Sequence, residues 1–328
     1  VRDGAREQII GYGRALVLLY FFVFSTTLAF VVPPFESPDE PDHLEYVNFV
    51  AERRELPNHL SATQPRLREG FQPPLYYMCG AALITLLVED RKVDFVTTRN
   101  RLHAWGGGLL WEIPVYVGNS TKTFASESDR AGFYALRMLS VLFGLLTVYV
   151  VLLMARLFIP DKGWALLPGF LLASLPQFAF ISATVNNDTL SNLLAACVLY
   201  FAFRILEDPT RLRPFLMAGL FIGLGLCVKK SIMFALPGIA LLLAYCAWVW
   251  RGQLARIARN ASLGLLVGVA ASAWVVFRSI ILYGEFFGPT GVLPVIWLDP
   301  LEEPVQLMVA GIGLGAVLLA GAYALGTV

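Results

Sequence analysis

The sequence predicts an all-α, polytopic bundle of membrane-spanning helices, and three observations carry that prediction. The 328 residues are 57% hydrophobic and only 15% charged, less charge than a soluble domain of this length carries. Several apolar runs approach or exceed the roughly 20 residues that cross a bilayer. The basic residues gather in alternate connections between those runs, the pattern of a chain oriented by the positive-inside rule.

Eight spans follow, at about 11–32, 132–157, 163–184, 189–206, 214–228, 231–250, 261–283 and 305–326. The first has no small-residue cleavage site behind it and reads as a retained helix. The fifth is short, and Gly219, Gly223 and Gly225 suit it for close packing on a neighbour. The last run reaches Val328, so a C-terminal continuation is expected. Arg2, Arg6 and Arg14 precede the first span. Arg156 and Lys162 follow the second, Arg204, Arg211 and Arg213 the fourth, and Arg251, Arg256 and Arg259 the sixth. With alternating spans all four groups fall on one side, which makes that side and the N-terminus cytoplasmic. The opposite connections carry Asp188, Glu285, Asp299, Glu302 and Glu303, with Lys229 and Lys230 as the exception.

The stretch 33–131 is then one extracytoplasmic loop of a single transmembrane domain covering 1–328. Its segment 74–88 is apolar but short. A crossing there would turn every later basic connection outward, so it reads as a helix lying at the interface. A second interfacial helix is expected at about 38–54, with Leu44, Tyr46, Val47 and Val50 on one face and Glu45, Glu52, Arg53, Arg54 and Glu55 on the other. The part from 105 to 130 has no helical period and reads as loop.

A net charge of +1 removes the electrostatic basis for nucleic-acid binding. Cys79, Cys197, Cys227 and Cys246 show no metal spacing and read as small core residues. His59 and His103 are isolated as well. No phosphate-binding glycine loop, dinucleotide fingerprint or His-Glu-x-x-His motif is present. Three triplets, beginning at Asn119, Asn187 and Asn260, match the glycosylation pattern by composition alone.

The chemistry-bearing cluster follows the first span. Pro33-Pro34 ends it, and Glu36-Ser37-Pro38-Asp39-Glu40-Pro41-Asp42-His43 comes next. Carboxylates at the edge of hydrocarbon are costly without a function or a partner. Two readings apply. Ser37 as N-cap, Pro38 as first helical residue and Glu40 closing a capping box make a helix start. A carboxylate held there also makes a general base for an acceptor hydroxyl. Four further places stand near it on this topology. Phe71-Gln72-Pro73-Pro74-Leu75-Tyr76-Tyr77 is a stiff entry turn, with Gln72 and Tyr76 positioned to line a polar cavity. Asn186-Asn187-Asp188 is either a turn between spans or part of the site or of a metal site. Lys229-Lys230 reads as headgroup contact or as phosphate binding. Arg278 is a second phosphate candidate or the partner of a buried acid.

Pro-Asp-Glu-Pro-x-His at the outer end of a first span, followed by Gln-Pro-Pro-Leu-Tyr-Tyr before an interfacial helix, resembles the GT-C superfamily of membrane glycosyltransferases. Within it the pattern is similar to bacterial integral membrane proteins with this Pro-Asp-Glu loop. Protein O-mannosyltransferases and aminoarabinose transferases are more distant. Arg137-Met138-Leu139-Ser140, 176–188, 225–231 and 278–285 extend the resemblance over about 11–285.

The resemblance implies a GT-C bundle with two juxtamembrane helices in the first outer loop. It implies transfer of a sugar from a polyprenyl-phosphate donor to a glycan, lipid or protein acceptor at the extracytoplasmic face of the cytoplasmic membrane. Asp39 takes the role of general base with Glu40 as support or substitute, and Lys229, Lys230 and Arg278 hold the donor phosphate. Asp42, His43, Gln72, Tyr76 and Asp188 line the site. Gln72 stands where the mannosyltransferases have His before Pro-Pro, which leaves that residue's role in donor or metal contact open. The proposed chemistry requires no cofactor, because the lipid phosphate is itself the leaving group, and it is compatible with a divalent metal. Specificity is expected in 89–131 and 284–304. Two other readings remain, a non-catalytic GT-C-like subunit and a lipid or solute transporter. Charges clustered at one face, rather than at the midplane of broken helices, favour the transferase.

Overall fold

The structure, a computed structural model, describes residues 2–58, 60–61, 63–65, 67–99, 116–117 and 123–286. The apolar runs fold as helices, and among the described residues there are ten α-helices: α1 (Arg2–Val31), α2 (Glu40–Arg53), α3 (Leu75–Leu87), α4 (Glu127–Phe158), α5 (Leu167–Ala173), α6 (Pro176–Ser182), α7 (Asp188–Glu207), α8 (Leu212–Leu226), α9 (Ala235–Val249) and α10 (Leu254–Tyr283). Two short strands, β1 (Thr98–Arg99) and β2 (Tyr116–Val117), pair antiparallel with Thr98 opposite Val117. Five helical segments are long and apolar enough to cross a membrane, or six if the bent pair α5–α6 counts as one. The protein is an integral membrane, all-α helical bundle.

One feature differs from the sequence expectation. The expected span 163–184 is broken, bending by 63° between Trp164–Ala173 and Pro176–Ser182. Pro176 lacks the N–H that a continuous helix needs and disfavours helical backbone at Leu175, which is extended (φ −75°, ψ 110°). The fifth span, expected to be short at 214–228, is the 15-residue α8. The eighth run, 305–326, lies outside the described residues, as do His59, His103, Asn119 and most of 105–130 and 284–304.

By its internal contacts the chain forms two compact units, residues 1–149 with 166–190, and 150–165 with 191–328. In the first, α2 packs against α3. The contact is close at Gly80, where a Cβ would approach Val47 Cγ2 to 2.9 Å. Phe35, Phe95, Phe124 and Phe133 make an aromatic cluster, with Phe35 centroids 4.9 Å from Phe95 and 5.2 Å from Phe133. Phe35 reaches it with φ 69°, a left-handed backbone that is unusual for a bulky residue. Ser126 and Asp129 bond reciprocally at the start of α4, and Asp129 Oδ1 accepts the Asp94 N–H at 2.9 Å, tying the segment around Asp94 to that helix.

In the second unit, α8 and α10 lie backbone to backbone. A Cβ at Gly219 would strike the Gly264 carbonyl, and one at Gly264 would meet the Phe215 carbonyl oxygen at 2.6 Å. Small residues permit this approach in membrane helices. Gly225 instead faces Ile232. Ala202, Phe203, Phe215, Leu242, Cys246 and Ile257 are among the buried core of this unit. Asn260 is fully buried and donates its amide to the Thr210 carbonyl at 3.1 Å, and Asn187 is 1% exposed. Neither is placed as a glycosylation acceptor.

Candidate active site

The acid run is sorted by one arginine. Arg137, on α4, is fully buried and uses all five of its N–H donors. Nε and Nη2 donate to Glu40 Oε1 and Oε2 at 2.8 and 2.7 Å. Nη1 donates to the carbonyls of Ala29 and Val32, both at 2.7 Å, and Nη2 to that of Pro33 at 3.3 Å. These carbonyls end α1, where a cation is favourable. The guanidinium also lies over the Phe133 ring, 4.7 Å from its centroid.

Glu40 is equally saturated. Its Oε2 accepts the Phe35 N–H at 3.0 Å and its Oε1 the Val185 N–H at 2.9 Å, in addition to the two bonds from Arg137. Two bonds on each oxygen fill the carboxylate's acceptor capacity, and the side chain has no exposed surface. Its role is to join α1, α2, α4 and the turn before α7. This corrects the expectation of Glu40 as catalytic support: no lone pair is left to take a proton from a substrate. It also corrects the capping box. The helix begins at Glu40 after Asp39 (φ 56°, left-handed) with no side-chain cap, because Glu40 is drawn to Arg137 instead of back to Ser37.

Asp39 is the opposite case. Its side chain is 49% exposed, with Arg68 Nη1 at 3.8 Å from Oδ1. The same Arg68 atom donates to Asp42 Oδ2 at 3.1 Å. Burial holds the Asp42 carboxyl above its ordinary range, and Arg68 pulls it back in part. Glu69 is raised too, first by burial, against a hydrogen bond from the Gln72 side chain and with Asp39 and Asp42 adding to the rise. Asp39, Asp42, Arg68, Glu69 and Gln72 thus form one electrostatic group at the start of α2.

His43 and Tyr77 flank this group. His43 Nδ1 and the Tyr77 hydroxyl share a 2.9 Å hydrogen bond. Tyr77 stacks on Tyr46 with centroids 3.7 Å apart, and the Tyr46 hydroxyl donates to the Gln72 carbonyl at 3.3 Å. The Pro-Pro turn therefore holds Gln72 beside Glu69. Tyr76 turns away. Its hydroxyl meets Ser140 Oγ at 3.2 Å, and the residue is fully buried. Asp188, the first residue of α7, bears electrostatically on Tyr77. Beside it Asn186 makes the turn: its Oδ1 accepts the Thr189 N–H at 3.2 Å and its Nδ2 donates to the Ile181 carbonyl at 2.7 Å.

Lys229, Lys230 and Arg278 stand in the second unit. Lys229 is extended (φ −155°, ψ 136°) between α8 and a 3₁₀ turn that opens at Lys230, and Glu285 bears on Lys230. All three are partly exposed. Among the described residues no three His, Cys, Asp or Glu side chains converge as metal ligands.

Residues 129–277, from the start of α4 into α10, match the family model of dolichyl-phosphate-mannose-protein mannosyltransferase. The matched model is that of a GT-C superfamily glycosyltransferase domain. No curated protein matches the chain. The matched segment includes Arg137, Asp188, Lys229 and Lys230 and leaves out the acid loop. Arg68, Glu69 and Arg137 were not singled out as site residues in the sequence. An arginine inside an apolar helix calls for a buried acid, so Arg137 carried a readable signal. Arg68 and Glu69 sit in an aperiodic loop and carried none.

Proposed function

We propose that this membrane glycosyltransferase of GT-C type transfers a sugar from a polyprenyl-phosphate donor to an acceptor at the extracytoplasmic face of the inner membrane, with its N-terminus in the cytoplasm and Asp39 as general base. The observation that carries the assignment is the saturation of Glu40 by Arg137, which leaves Asp39 as the exposed carboxylate of the Pro-Asp-Glu motif.

In this reading the acceptor O–H proton passes to an Asp39 oxygen as the acceptor oxygen forms its bond to the anomeric carbon. The bond from that carbon to the phosphate oxygen breaks, and its electron pair leaves with the lipid phosphate. Attack opposite the leaving group inverts the anomeric centre. Lys229, Lys230 and Arg278 offset the charge gained by the phosphate. Arg68 orients Asp39 and stands between its charge and that of Asp42. His43, through Tyr77, and Gln72, through Glu69 and Tyr46, position the surrounding shell. The chain's own cations perform the charge stabilisation, and a divalent metal, if bound, adds to it.

Purified protein in nanodiscs, incubated with radiolabelled polyprenyl-phosphate sugars, is expected to release lipid phosphate by transfer or hydrolysis. Folded protein that turns over none of a broad donor panel contradicts this reading and favours a non-catalytic subunit.

A further inference from the structure

A concave site lies on the flank of α2. A groove of ≈ 370 Å³ runs between α2 and residues 92–97, within the range of small-ligand sites, about 300–1,000 Å³. Its walls are fixed to each other by a reciprocal pair: Asn48 Nδ2 donates to the Val93 carbonyl at 2.9 Å, and the Val93 N–H donates to Asn48 Oδ1 at 3.0 Å. The shape is therefore preformed, which lowers the entropy cost of binding.

The lining has a specific charge pattern. Glu45 and Glu52 stand two helical turns apart on one face of α2. Arg53 lies over the Phe49 ring, 5.2 Å from its centroid. On the facing wall Lys92 pairs with Asp94 at 2.8 Å, beside the half-exposed ring of Phe95. Each cation is thus already engaged, while among the described residues Glu45 and Glu52 accept no hydrogen bond. An anionic ligand meets three carboxylates, and a cationic one meets Arg53 and Lys92. A neutral chain rich in hydroxyls avoids both repulsions. Its O–H groups supply the donors that acceptor-only carboxylates need, and its ring C–H faces suit Phe95.

We propose that this groove is the acceptor subsite and that the acceptor is a neutral glycan chain lying along α2 toward Asp39. Glu45 is about 9 Å along the helix axis from Asp39, and Asp42 lies on the stripe between them, close enough to raise the Glu45 carboxyl after partial burial has done so. A chain held by Glu52 and Glu45 then directs its terminal hydroxyl at the base. The inference rests on Asp39 being that base, but the binding it describes does not require turnover.

The test is equilibrium binding of neutral di- to tetrasaccharides of the gluco, manno, galacto and N-acetylglucosamine series to the full chain in nanodiscs, followed by saturation-transfer NMR. At least one series binds wild type and the Asp39→Asn variant alike. Glu45→Gln with Glu52→Gln weakens it by roughly tenfold or more, the scale of lost charge-assisted bonds. Thr97→Trp, which adds bulk to the groove wall and leaves both acids in place, weakens it as well. Melting curves matched to wild type accompany both variants. Absence of binding by every series, binding unchanged in both variants, or competition won by a neutral serine-rich peptide overturns the proposal. Saccharide binding without any transfer keeps this subsite and rejects the catalytic reading instead.

Discussion

Glu40 and Arg137, 97 residues apart in the chain, meet through two parallel hydrogen bonds of 2.8 and 2.7 Å with no exposed surface on either side chain. The remaining donors of Arg137 close the end of α1, and the remaining acceptor sites of Glu40 hold the backbone of Phe35 and Val185. A motif that looks like two adjacent catalytic acids is therefore one structural acid and one exposed acid. The left-handed turn at Asp39 follows, since the chain must present Glu40 inward and Asp39 outward in consecutive positions.

Arg137→Ala leaves a buried carboxylate without its cation. We expect a loss of about 3–5 kcal/mol, read as a lowered melting temperature in detergent. Glu40→Gln is expected to fall in the same range. A double variant, Glu40→Leu with Arg137→Met, recovers part of the loss, because removing both charges avoids the uncompensated one.

Tyr77→Phe removes the group bonded to His43 Nδ1. An unsatisfied buried nitrogen costs about 1–3 kcal/mol, and the same denaturation assay measures it. Tyr76→Phe removes the hydroxyl's contacts with Ser140 and with the Asn186 backbone and is expected to lose less transfer activity than Asp39→Asn.

The acids beside Asp39 set a pH dependence. Asp42 and Glu69 have folded-state values raised from their ordinary 3.8 and 4.5. A carboxyl raised on folding binds more protons in the native state, so stability is highest below the ordinary value and declines as pH rises through the raised one. Unfolding measured across this acidic window shows that decline in wild type. Asp42→Asn with Glu69→Gln flattens it, and an unchanged slope contradicts the assignment.

Gly219→Ala places a methyl group against the Gly264 backbone carbonyl, which cannot turn aside as a side chain can. Overpacking of this kind costs about 1–3 kcal/mol. Gly252→Ala, with nothing within 4 Å of the added atom, serves as the neutral control.

The two helices after the first span were legible as helices, expected at about 38–54 and 74–88, and α2 occupies Glu40–Arg53 while α3 occupies Leu75–Leu87. The glycines of α8 were legible as a packing face, although their partners Gly264 and Gly268 on α10 were not. The start of α2 was misread for a physical reason: local capping competes with tertiary pairing, and Arg137, distant in sequence, offers Glu40 more than Ser37 can. The break at Pro176 was visible as a residue but hidden by hydropathy, which runs through it without change. Arg68 left no trace in periodicity, since it acts from a loop.

Transfer by Asp39→Asn, beside wild type in nanodiscs with the same labelled polyprenyl-phosphate sugar, tests the account most directly. With melting temperature retained, the account predicts loss of about 10²–10⁴-fold in rate, the usual contribution of a general base. Wild-type rate in the folded Asp39→Asn protein contradicts it.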